Sequence, residues 1–183
     1  MTISNRDISD TLSRYLASHP CEHDSLDPLL SSLAAGIEIT ARSATPGHVT
    51  CGAAVISTAG KILMIHHNAL HRWLLPGGHL DPADPGLRAA ALRELAEETA
   101  VSWRQVVSPP GLDRVPLDID LHHIPANPAK GEPAHWHADF RFAFFVTDPA
   151  ISLQLDEVSA HAWRPPSTLQ TERLAAKVTR LAA

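Results

Sequence analysis

The stretch that most constrains this chain runs from Leu74 to Val101, LLPGGHLDPADPGLRAAALRELAEETAV. An apolar run ends at Trp73-Leu74-Leu75, and Pro76-Gly77-Gly78 follows it. Glycines at such a point let the backbone turn tightly or pass close to a ligand. A helix is predicted next, with Asp84 as N-cap and Pro85 at the first helical position. Leu87, Ala91 and Leu95, with Ala90 less well aligned, form its apolar stripe. Glu94, Glu97 and Glu98 stand at i, i+3 and i+4 and so share one face. The like-charge pair Glu94/Glu98 costs a few tenths of a kcal/mol in an isolated helix. A hard cation such as Mg²⁺ or Mn²⁺ converts that cost into affinity, because carboxylate oxygens are its preferred ligands. Arg93 can reach Glu97 one turn on and fix its rotamer. An arbitrary charge run of this kind is usually a solvated helix face; the Pro-Gly-Gly lead at this distance argues for a site.

The same residues resemble the Nudix box of the Nudix hydrolase family, G-x5-E-x7-R-E-U-x-E-E-x-G-U, where U is a bulky aliphatic residue. Gly78 matches the first glycine, Arg93, Glu94, Leu95, Glu97 and Glu98 the R-E-U-x-E-E core, and Val101 the last U. The sequence departs from the pattern at three points. Asp84 stands at the first glutamate, eight residues instead of seven separate it from Arg93, and Ala100 replaces the final glycine. That last position is a helix C-cap, where glycine is favoured.

The resemblance implies an α+β fold, an α/β/α sandwich with a mixed sheet between helices. It spans roughly residues 47–181, so the chain divides into an N-terminal helical extension, 1–45, and a Nudix domain, 46–183. It also implies Mg²⁺-dependent hydrolysis, with Mn²⁺ as a substitute, of a nucleoside diphosphate linked to another moiety, such as a nucleotide, a sugar or an ADP-ribose type of group. Glu94, Glu97, Glu98 and the Gly78 carbonyl are the implied metal ligands. Glu98 or Glu97 is the implied proton acceptor, with Arg93 orienting the cluster. Glu157 is a further candidate base, since relatives often place a carboxylate in the loop before the last strand. PGHVT at 46–50, the His66-His67 doublet, LDIDLH at 117–122 and H-x-H-x-D-x-R at 135–141 look like a bacterial Nudix subgroup of unassigned substrate. A homodimer is the family-weighted expectation. The alternative is a Nudix-fold nucleotide or sugar sensor without turnover, although such a module has no need of the intact Glu94, Glu97 and Glu98. A diphosphate isomerase of the same superfamily would need a cysteine near the pocket, and Cys51 is its one candidate.

The remaining chain supports one folded core. Its 183 residues, 44% hydrophobic and 19% charged, suit one globular domain. A net charge of −5 offers no basic field for nucleic acid, so an anionic substrate would need a local cation. No apolar run approaches the roughly 20 residues of a membrane span. The first residues, MTISNRDISD, show no basic segment followed by an apolar core of the secretory kind, and Cys21 and Cys51 make no disulfide framework. These features lead us to expect a soluble cytoplasmic protein.

Ile8, Leu12, Tyr15 and Leu16 predict a helix over 5–17. Asp27-Pro28 starts a second helix that Gly36 ends. Residues 48–57 and 61–67 predict a hairpin around Thr58-Ala59-Gly60, and 117–124 and 160–164 are further strands. Residues 135–146 predict a long strand with Trp136, Ala138, Phe140, Phe142, Phe144 and Val146 on one face. His135, His137, Asp139 and Arg141 alternate with them, and His137, Asp139 and Arg141 are the predicted substrate-binding residues. Asp139 and Arg141 could equally form a structural ion pair. The His135-x-His137 pair, with His122-His123 on a neighbouring strand, lines a pocket in one reading and binds zinc in another, although no cysteine supports the zinc reading. Ser167, with Gln170 completing a capping box, is predicted to cap a last helix carrying Leu174, Val178 and Leu181.

Overall fold

A computed structural model describes residues 3–147 and 149–182. Residues 1, 2, 148 and 183, which the two expected segments include, lie outside the described residues. Two helices come first, α1 over Asn5–Ser18 and α2 over Asp27–Ala34. Ser4 caps α1 reciprocally: its Oγ accepts from Asp7 N at 3.3 Å, and Asp7 Oδ2 accepts from Ser4 N at 2.9 Å. Gly36, at φ +69°, carries the chain out of α2.

Strands β1 (Gly47–Ser57) and β7 (His135–Val146) form the centre of an eight-stranded mixed sheet. They pair in parallel along their whole length, from Gly47 opposite Trp136 to Ser57 opposite Val146. Around them stand β2 (Ile62–His67), β3 (Arg72–Leu74), β4 (Gly77–His79), β5 (Val106–Val107), β6 (Asp118–Ile124) and β8 (Val158–Arg164). The hairpin of β1 and β2 is present, and β8 and β3 flank β2 on its two edges. β6 and β5 both pair antiparallel with β7.

Alternation along the central strands decides the layers. Val49, Cys51, Ala53 and Val55 of β1 and Trp136, Ala138, Phe140, Phe142 and Phe144 of β7 share a core with Leu87, Ala91 and Leu95 of α3 (Leu87–Thr99). Ile8, Leu12, Tyr15, Leu26 and Leu29 belong to that same core, so the N-terminal helices are packed into the body of the fold. On the opposite face, Ala54, Ile56, Ile62 and Met64 meet Leu174 and Val178 of α4 (Glu172–Ala182). The result is the expected sheet between helical layers.

Three local expectations need correction. α3 begins at Leu87 with Gly86 at its N-cap position, and Asp84 does not cap it. The Gly77-Gly78 segment is the short strand β4, paired antiparallel with β1 from Thr50 to Gly52. α4 starts five residues after Ser167, which lies in a 3-10 turn over Pro166–Thr168; the hydroxyl of Thr171 accepts from Leu174 N at 3.2 Å instead.

Candidate active site

Close packing explains the two glycines of β4. A Cβ at Gly77 would lie 2.7 Å from the Cys51 carbonyl oxygen, and one at Gly78 would lie 2.6 Å from Glu94 Oε1. Real Cβ atoms do not approach so near, so glycine at 77 lets β4 pair with the β1 backbone, and glycine at 78 leaves the Glu94 carboxylate where it stands as α3 crosses over the strand. That seating places the carboxylate face of α3 directly on the strand.

Arg93 organises the cluster. Its Nε and Nη2 donate to Asp84 Oδ1 and Oδ2 at 2.9 and 3.0 Å. Nη2 also donates to the His79 carbonyl at 2.8 Å, while Nη1 donates to both Glu94 Oε1 and Glu97 Oε2 at 2.9 Å. Asp84 is 4% exposed and also accepts from Asp81 N at 2.8 Å. The carboxylate at the first glutamate position therefore serves as the bidentate partner of Arg93. These hydrogen bonds, opposed by partial burial, raise the Arg93 pKa above its ordinary value.

Glu98 is the most buried of the three glutamates, at 2% exposed. Gly77 N–H donates to its Oε2 at 3.0 Å. Burial, with Glu94, Glu157 and Glu97 adding negative charge, pushes its pKa up to about 8, against the pull of the Gly77 amide. Burial also raises Glu94, with Arg93 opposing. Glu97 lies at the outer end of the face, its side chain half exposed. Glu157 is exposed, yet it lies near enough to raise both Glu94 and Glu98. The segment leading to it is tied to the end of α3, with Ser152 N donating to the Thr99 carbonyl and Gln154 N to that of Glu98.

The donors here are oxygens, which suit Mg²⁺ or Mn²⁺. As found, Glu94 and Glu97 are engaged by Arg93. Among the described residues, the one set of three ligand atoms within 4.8 Å of one another belongs to His48, His135 and His137.

The predicted substrate-binding face divides in two. Arg141 is 4% exposed and locked into a charge network. Its Nε donates to Asp139 Oδ2 at 2.8 Å and its Nη2 to Asp120 Oδ2 at 3.0 Å, and Nη1 lies 3.5 Å from Asp118 Oδ2. Arg173 and Lys177 of α4 reach the fully buried Asp118 at 2.9 Å, and the Tyr15 hydroxyl bonds Glu22 and accepts from Lys177 at 2.6 Å. This network stitches α1, α4 and β6 together. His122, followed by Arg141 and Arg173, draws the Asp120 pKa down to about 2 against its burial. Asp139 also accepts from the Thr50 hydroxyl at 3.2 Å.

His137 faces a different pocket, lined by Arg42, Thr45, His48, His79, Glu132 and His135 among others. Burial, with neighbouring histidines, lowers His137 to about 3; burial, with Arg42 and neighbouring histidines, lowers His79 to about 4. Sequence reasoning did not single out His48 or His79 for this pocket. Their part in it follows from strand register, which sets His48 opposite His137. Cys51 is fully buried, and burial followed by Asp139 raises its pKa well above the ordinary thiol value, so it is a core thiol and not an acid–base group at a pocket.

The model of the NUDIX domain matches residues 46–182, well over half of the chain. The chain belongs to the Nudix family. A curated relative, a probable DHNTP pyrophosphohydrolase of Lactococcus lactis subsp. cremoris, is 31% identical over 100 residues, 55% of each chain. This chain thus spans about half the length of that relative. Two solved structures share the fold at 18% identity. One is a C. elegans Ap4A hydrolase binary complex, with a TM-score of 0.51, covering 73% of this chain and 91% of its own. The other is a NUDIX-family hydrolase from Clostridium perfringens, with a TM-score of 0.53, covering 74% and 95%. No helix among the described residues is long and apolar enough to cross a membrane.

Proposed function

We propose that this Nudix chain is a Mg²⁺-dependent pyrophosphohydrolase, cleaving the diphosphate linkage of a nucleoside diphosphate joined to another moiety, in the bacterial cytoplasm. The observation that carries this reading is Glu98: a carboxylate buried beside Glu94, raised to about 8, with one amide donor. A carboxylate left so short of counter-charge is suited to a cation and to proton transfer near neutral pH.

Glu94, Glu97, Glu98 and the Gly78 carbonyl would hold the ion. When bound, it supplies charge neutralisation at phosphorus and a lowered pKa for the attacking water. Arg93 fixes Glu94 and Glu97 through one nitrogen and takes its own position from Asp84 and the His79 carbonyl. Glu98, steadied by the Gly77 amide, takes the water proton; Glu157 stands at the rim as a second acceptor. His137, Asp139 and Arg141 take a share in substrate binding, Arg141 by holding Asp139 and Asp120 in place.

The relative's name as a pyrophosphohydrolase supports this reaction class. The test is a panel of nucleoside triphosphates, dinucleoside polyphosphates, nucleotide sugars and ADP-ribose, assayed with Mg²⁺, with Mn²⁺ and with a chelator. Metal-dependent release of phosphate or nucleotide from one class is expected. Binding of a panel member with no product under any metal would favour a sensor.

A further inference from the structure

We propose a second metal site in this protein, in which His48, His135 and His137 bind a Zn²⁺-class ion. It lies on the sheet face that carries α4, across β4 from the glutamates. His79 shows the relation: its carbonyl accepts from Arg93 on one side, while its ring stands 5.1 Å from that of His48 and 5.4 Å from that of His137 on the other.

Three observations converge. The first is distance. His135 Nε2 and His137 Nε2 are 3.1 Å apart, and each of the three rings has a nitrogen within 4.8 Å of the other two. Tetrahedral zinc with Zn–N bonds of about 2.0–2.1 Å sets its ligand nitrogens about 3.3 Å apart.

The second is tautomer. His135 Nδ1 lies 2.8 Å from the Pro133 carbonyl, which can only accept. Nδ1 therefore carries the proton, and in the neutral ring Nε2 presents its lone pair toward His137. Donation of the other ring N–H to a backbone carbonyl is how metal-bound histidines are commonly oriented.

The third is His48. It is 1% exposed, and neither of its ring nitrogens makes a hydrogen bond of good geometry among the described residues, the Ala44 backbone being at most a weak partner. A His135–His137 hydrogen bond alone would explain the 3.1 Å separation, but it leaves at least one buried His48 nitrogen unsatisfied, which buried polar groups rarely are. A metal ion satisfies one of them and explains why three imidazoles crowd one another. Ring centroids of His48 lie 4.9 Å from His135 and 4.4 Å from His137.

All-nitrogen donors select Zn²⁺ and its neighbours over Mg²⁺, so this site is chemically distinct from the carboxylate cluster. Three protein ligands leave one position open. The three rings line the pocket of about 280 Å³, where Arg42 pairs with Glu132 at 3.6 Å, and that pocket would give access to the open position. Water or an anionic oxygen of a bound molecule would fill it.

The test is titration of metal-stripped protein with Zn²⁺ in excess Mg²⁺, followed by calorimetry and by thermal melting, with Co²⁺ as a spectroscopic stand-in. One Zn²⁺ per chain, a raised melting temperature and tetrahedral Co²⁺ bands are expected, and Glu98→Gln should retain all three. His135→Gln and His137→Gln, at half-buried positions, should each weaken Zn²⁺ at least ~10-fold, while the distant His161→Gln should not. His48→Gln should do the same, and if it fails to fold the other two variants decide the matter. Absence of stoichiometric Zn²⁺ binding, or binding that His135→Gln and His137→Gln leave unchanged, would overturn the proposal whatever the hydrolase assay shows.

Discussion

Raising the pH should tighten this protein's hold on Mg²⁺, and Glu98 sets the range. Folding raises Glu98 from 4.5 to about 8. Below that value the folded, metal-free protein carries a proton on Glu98 that an incoming cation must displace. The apparent association constant should therefore rise up to tenfold per pH unit and level off above about 8. Between about pH 6 and pH 8 this amounts to at most ~100-fold, or about 2.7 kcal/mol at 1.36 kcal/mol per unit. Stability without metal runs the other way. The folded state binds a proton that the unfolded chain releases above 4.5, so the contribution of Glu98 is full below 4.5 and lost as pH rises through about 8. The assay is Mg²⁺ or Mn²⁺ titration by calorimetry across this range, with metal-free melts alongside. Glu98→Gln should abolish the slope. An affinity constant within threefold from about pH 6 to 8, or a slope that survives in Glu98→Gln, would refute the assignment of Glu98 as a ligand that titrates on binding.

Other substitutions separate architecture from chemistry. Ala100 sits at φ 59° at the end of α3; Ala100→Gly should raise stability by about 0.5–1 kcal/mol in denaturant melts, with activity unchanged. Gly78→Ala would press on the flexible end of Glu94, and Gly77→Ala on the Cys51 carbonyl. The first should cut turnover at least ~10-fold with little loss of stability, and the second should cost roughly 2 kcal/mol or more of stability, because backbone cannot give way as a side chain can. Lys177→Met removes one of three cations around the buried Asp118; a loss of about 3 kcal/mol by chemical denaturation is expected, at the lower end for a broken buried pair.

Periodicity made much of the fold legible. Strict alternation gave β7 and most of β6, and helical spacing gave α1 and the apolar stripe of α3. Asp84 misled because an aspartate before a proline has the chemistry of a cap, and nothing local shows that Arg93, nine residues on, claims both of its oxygens. Pro76-Gly77-Gly78 carries the local pattern of a turn because glycine usually marks one; here it marks the close approach of β4 to β1 and to Glu94. Arg141 alternates with pocket-facing residues, yet Asp118, Asp120 and Asp139 enclose it, and the proximity of the first two depends on how β6 pairs with β7. The histidine cluster was half visible. His135 and His137 follow from alternation within one strand, whereas His48 joins them only through the parallel register of β1 on β7, which sets it opposite His137, 89 positions along the chain.

The most direct test of the central claim compares the wild type with Glu98→Gln on whichever diphosphate the panel identifies, at saturating Mg²⁺ and with melting curves for both. The substitution keeps the side chain's size and leaves an amide oxygen able to accept from Gly77 N–H. An unchanged fold with turnover reduced at least ~100-fold is the expected result. A well-folded Glu98→Gln protein turning over at near wild-type rate would contradict the reading of this carboxylate face as the catalytic centre.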